Sequence, residues 1–100
     1  MNSEDPQLTM DSSWGPLTFK VIHKAPFRNI LQITRKDSIV LYPNSQFNLI
    51  KTEISHDSGR FNSCHTTFYS THKTQHTVYT STSSYEDCQR VSDFLQQYFL

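Results

Sequence analysis

The side chains able to do chemistry are few. Cys64, His65, His72 and His76 fall close together, with His23 and His56 elsewhere and Cys88 further on. A zinc ion needs about four nitrogen or sulfur ligands converging at roughly 2.0–2.3 Å. On an extended strand Cys64 and His72 share a face but stand about 25 Å apart, at about 3.3 Å per residue. His72 and His76 flank a turn and supply two ligands at most, and no CxxC or HExxH spacing occurs. These residues therefore read as surface histidines, with no metal and no cofactor implied.

Nucleophilic chemistry fares no better. Cys64 and His65 are neighbours on a strand, so their side chains point to opposite faces and cannot form a dyad. Cys88 falls on the apolar side of a helical pattern, where a thiol is inert. Ser58 sits in the turn Asp57-Ser58-Gly59 without the strand–turn–helix setting of a nucleophile elbow. Gly15 and Gly59 are the only glycines, too few for a phosphate-cradling loop. Asp87 and Asp93 read as a solvated helix face. No enzyme is expected.

Charge points to one alternative. The chain has zero formal net charge, which argues against nucleic acid as a partner of the whole surface. Residues 14–52, however, carry Lys20, Lys24, Arg28, Arg35, Lys36 and Lys51 against Asp37 alone. A basic patch over residues 20–36 would hold an anionic lipid or nucleic acid, its field screened within about 8–10 Å at physiological salt.

One hundred residues make one domain. At 35% apolar residues the core is thin, but seven Phe, five Tyr and one Trp supply large buried area per residue. Residues 1–13 lack periodicity, carry Glu4, Asp5 and Asp11, and read as a disordered tail, leaving residues 14–100 as the domain. The first sixteen residues are polar and interrupted by Pro6 and Pro16, unlike a signal peptide, and no apolar run is long enough to span a membrane. The two cysteines read as reduced thiols in a cytoplasmic protein.

Trp14-Gly15-Pro16 breaks the chain and supplies a bulky anchor. Leu17, Phe19 and Val21 then alternate with Thr18 and Lys20, the period of a half-buried strand. Leu31 and Ile33 repeat the pattern, a tight turn follows at residues 35–38, and Ile39-Val-Leu-Tyr42 is a continuous apolar strand ending at Pro43-Asn44. Between Phe47 and Ile54 the apolar parity switches from Leu49 to Ile50, which predicts a bulge or corner with both side chains buried. Residues 60–71 and 75–82 read as a long hairpin around Lys73-Thr74, pairing Phe68 with Tyr79 and Tyr69 with Val78. Ser83 or Ser84 caps a final helix, with Ser83 and Glu86 as a capping box. Tyr85, Cys88, Val91, Leu95, Tyr98 and Phe99 recur on its apolar face. Such a stripe must be covered, by the sheet or by its copy in a homodimer.

About six strands in meander order, a mid-chain corner and a C-terminal helix resemble the pleckstrin-homology-like (PH-like) barrel. The stretch Tyr79-Thr-Ser-Thr-Ser-Ser-Tyr-Glu-Asp-Cys-Gln-Arg-Val-Ser-Asp-Phe-Leu95 is similar to the ends of small bacterial and plastid domains of that type. The resemblance covers residues 17–99 and implies a mainly β (α+β) fold: an antiparallel meander curling into a barrel or half-barrel with one amphipathic helix. That fold hosts lipid binders, peptide binders and scaffolds. The Lys/Arg-x-Arg spacing by which its lipid-binding members grip inositol phosphates is absent here.

The expected function is a non-enzymatic protein-binding or accessory module. Its surface is the hydroxyl-rich hairpin of residues 61–82, with Thr67, Tyr69, Thr71 and His76, acting through a sheet face or edge.

Overall fold

A computed structural model describes residues 5–12, 15–23, 29–70 and 74–100. Seven strands run β1 (Gln7–Ser12), β2 (Gly15–Ile22), β3 (Ile30–Arg35), β4 (Ser38–Pro43), β5 (Phe47–Asp57), β6 (Arg60–Ser70) and β7 (Gln75–Ser81), followed by helix α1 (Tyr85–Tyr98). They form two antiparallel sheets in chain order, β1-β2-β3-β4 and β5-β6-β7. Among the described residues no ladder joins the sheets, so they do not close into a barrel.

In β2 and β3 the period of two holds. Leu17, Phe19, Val21, Leu31 and Ile33 are buried, and the register sets Phe19 opposite Ile33 and Val21 opposite Leu31. The disordered-tail expectation fails for residues 7–12. They pair along β2 from Gln7–Lys20 to Ser12–Gly15, with Met10 buried opposite Leu17 and Leu8 half-buried opposite Phe19. Two apolar residues two positions apart are too weak a signal in isolation, but β2 presents an edge along which they pair. Residues 1–4 and the Trp14 anchor lie outside the described residues.

In β5 the expected irregularity exists, but displaced. The register shifts between Phe47 and Leu49, so Phe47 and Ile50 both face inward while Leu49 points out at 44% exposure. The expectation that Leu49 is buried is therefore wrong; Asn48 is the residue accommodated by the bulge. The β5–β6 turn has positive φ at Ser58 and Gly59, the backbone requirement of a type I′ hairpin.

The hairpin pairing also differs from the expected one. Thr66 lies opposite Tyr79 and Phe68 opposite His76, with a shift between Thr66 and Thr67. That shift makes Val78 the extra residue, which lets consecutive Val78 and Tyr79 both be buried. An ideal two-residue hairpin would force one of them outward.

Ser84 is the helix cap, its side chain accepting from Glu86 N–H. Cys88, Val91 and Leu95 are fully buried, as is Phe99 just beyond the helix, so these four side chains are covered within the chain, while Tyr98 is half-buried and Tyr85 exposed. Burial of Val91, Leu95 and Phe99 contributes roughly 1.5–3 kcal/mol each. Phe68 of β6 stacks against Phe99, ring centres 5.4 Å apart. Phe19 of the first sheet meets Tyr79 of the second edge-to-face at 6.2 Å.

Cys64 and Cys88 are not reduced thiols. They form a disulfide between β6 and α1, with Cα atoms 6.1 Å apart and a sequence separation of 24. Beside it Thr66 donates to the Cys88 carbonyl at 3.0 Å, and buried Ser92 bonds Thr52 at 2.6 Å and Thr66 at 3.3 Å. These hydroxyls satisfy one another inside the helix–sheet contact.

Two stability changes follow. Met10→Ala leaves a void under β1 and lowers the unfolding free energy in urea by about 2 kcal/mol; an unchanged midpoint would mean that β1 does not contribute to the core. Opening the disulfide by Cys64→Ser, or by reductant, costs about 3 kcal/mol from the freed loop, read by urea titration with and without reductant.

Candidate interaction surface

The basic set does not assemble into one patch among the described residues. Lys20 lies on the outer face of the first sheet, in register with Gln32 and, through it, Leu41. Arg35 is on the other parity and lines a cleft of about 240 Å³ with Ser12, Leu17, Thr77, Val78 and Tyr79. Lys36 is exposed in the β3–β4 turn. Lys24, Arg28 and Thr71 lie outside the described residues.

The hairpin residues are largely engaged by their own sheet. Its first strand, β6, lies between β5 and β7 and has no free edge. Thr67 is buried, its hydroxyl 3.2 Å from that of Thr77. Tyr69 donates to Glu53 Oε1 at 2.7 Å, and Lys51 Nζ sits 5.3 Å from its ring centre, a cation–π contact. His76 is exposed at its edge but packs 6.2 Å from Tyr42 and 5.8 Å from Phe47, so it helps close one side of the aromatic core.

Where β7 passes β1, the Tyr79 hydroxyl donates to the Asp11 carbonyl at 3.3 Å. A second cleft of about 390 Å³ there is lined by Asp11, Ser81, Thr82 and Asp87 among others. Burial, then the Asp87 carboxylate, pushes the Tyr79 hydroxyl above the ordinary tyrosine range. Its bond to Glu53 does the same for Tyr69, and the hydrogen bond from Ser84 holds Glu86 below the usual carboxylate range.

Among the described residues, the longest run of exposed apolar side chains is in β4. Ile39, Val40 and Leu41 are 62%, 39% and 57% exposed. Ile39 and Leu41 lie on the outer face opposite Thr34 and Gln32, and Val40 on the inner face opposite Ile33. Within its sheet, β4 pairs only with β3, so its other edge is free of strand pairing among the described residues. Sequence reasoning found this strand but not its exposure, because an unbroken apolar run is the pattern of a strand buried on both faces. Pro43 at its end is the one residue typical of an edge.

Comparison with protein-family models, with curated proteins and with solved structures finds no match. Among the described residues no helix is long and apolar enough to cross a membrane, and no cluster of three or more histidine, cysteine or acidic side chains could hold a metal ion.

The raised tyrosine pKa values set an alkaline limit. A phenol whose pKa is raised by folding contributes stability below its unfolded value of about 10 and loses it as pH climbs through the folded value. Unfolding free energy is therefore expected to fall above about pH 10, and Tyr79→Phe to flatten that decline; urea titrations at stepped pH measure both.

Proposed function

We propose that this chain is a non-enzymatic protein-binding module of PH-like build that works through the free edge of β4. The observation that carries this reading is the run of three consecutive exposed apolar residues on a strand paired on one side. An edge strand offers backbone N–H and C=O groups to an incoming strand, and its side chains set specificity at alternate positions. Proteins usually protect such an edge with charge or cover, and Ser38–Pro43 carries no charged residue. The sequential four-plus-three strand order closed by a C-terminal helix supports the PH-like build. The Cys64–Cys88 disulfide favours an oxidising compartment over the cytoplasm.

The rival reading, an anionic lipid or nucleic acid held by Lys20, Arg35 and Lys36, is weakened by the placement of Lys20 and Arg35 on opposite faces. Selection from a displayed library of random peptides separates the two. Edge binding yields extended, alternately apolar peptides that are lost on Leu41→Lys and insensitive to salt. Ligands that survive Leu41→Lys but are lost on Lys20→Ala or at high salt would instead favour the basic residues.

A further inference from the structure

We infer that the partner of the β4 edge is a second copy of this chain, paired antiparallel through β4 about a two-fold axis at Val40. The inference rests on the edge-binding reading and names its occupant. Comparison of the strand edges singles out β4: β1 carries Asp11, β5 carries Lys51 and Glu53, and β7 opens with Gln75, His76 and Thr77. β7 is uncharged but polar at that end, so among the described strand edges β4 alone joins the absence of charge to a run of exposed apolar side chains. The chain as a whole has zero formal net charge, so two copies meet without long-range repulsion.

The register follows from the hairpin. Arg35 and Ser38 close the two-residue β3–β4 turn. Hydrogen-bonded pairs alternate along an antiparallel ladder, so Ser38, Val40 and Tyr42 turn their backbone groups toward β3, and Ile39 and Leu41 turn theirs to the free side. A two-fold axis at Val40 sets Ile39 opposite the second copy's Leu41 and Leu41 opposite its Ile39. All these outward N–H and C=O groups are then matched, and apolar side chains meet on both faces. Moving the axis to Leu41 would bring Ile39 opposite Pro43 of the second copy, which has no N–H to give. The strand therefore favours one self-complementary pairing, and two four-stranded sheets become one continuous sheet of eight. With one strand a side the contact is smaller than a standard interface, so the dimer is expected to be weak and concentration-dependent.

Sedimentation equilibrium of the full, oxidised chain tests this across a concentration series. The weight-average mass is expected to climb from that of the monomer toward twice that value. Leu41→Lys, and Ile39→Pro at an N–H that β3 does not use, are expected to hold it at the monomer with the melting temperature unchanged. The register is read by cysteine cross-linking in air. Val40→Cys is expected to give a disulfide-linked dimer, because the two Val40 positions face each other, and Leu41→Cys little or none. A wild-type mass that stays monomeric to millimolar concentration overturns the inference, as does a dimer that survives Leu41→Lys or cross-links through residue 41 in preference to 40. A monomeric wild type would leave the edge-binding reading intact; that reading fails separately, if the peptide selection returns no ligand that Leu41→Lys abolishes.

Discussion

Helix α1 seated on the second sheet is the contact on which the rest of the structure depends. The sheet's inner face, with Ile50, Cys64, Thr66 and Phe68, meets the helix face of Cys88, Val91, Ser92 and Leu95, and all of these are buried. Neither half is stable in water: a helix of this length is marginal alone, and a three-stranded sheet needs a covered face. The disulfide and the Thr52–Ser92–Thr66 hydroxyl chain hold the two in one alignment. Apolar area drives the contact, while these directional links decide where along the sheet the helix lies.

The end of the helix carries that alignment to the first sheet. There is no basic residue in its last turn, so its terminal carbonyls need other partners. Asn29 Nδ2 donates to the Tyr98 carbonyl at 2.9 Å and Asn44 Nδ2 to that of Phe99 at 3.1 Å. Asn44 N–H in turn donates to the Asn29 carbonyl at 3.0 Å. These two asparagines flank the β3–β4 hairpin, so capping the helix also fastens the base of that hairpin. The β4 edge is therefore presented on a fixed support, where a strand partner loses less conformational entropy on docking.

The two sheets meet through aromatic rings rather than backbone. Phe19 against Tyr79, and Tyr42 against Phe47 and Phe68, bridge the halves. Thirteen per cent aromatic residues make this feasible in a chain otherwise poor in apolar side chains. A meander whose sheets join by side chains alone leaves unpaired strand edges. Charged or polar residues occupy the edges of β1, β5 and β7, while β4 is left apolar.

Local periodicity was enough to determine the strands β2 and β3, the turns at residues 35–38 and 57–59, and the final helix with its buried stripe. Each depends on residues near in sequence, and the side-chain period reports directly which face is covered. Ser92 was within reach too, since it follows Cys88 by one helical turn on the buried face, but its polarity disguised it. Tertiary structure alone decided the rest. Leu8 and Met10 become a strand only because β2 offers an edge, and Val78 and Tyr79 are both buried only because of a bulge. Cys64 and Cys88 pair only because the helix crosses β6 at that height. The exposure of β4 belongs to the same class: Ile39, Val40 and Leu41 have the composition of an interior strand, and whether such a strand is central or at an edge depends on which strands come to lie beside it, which no local pattern encodes.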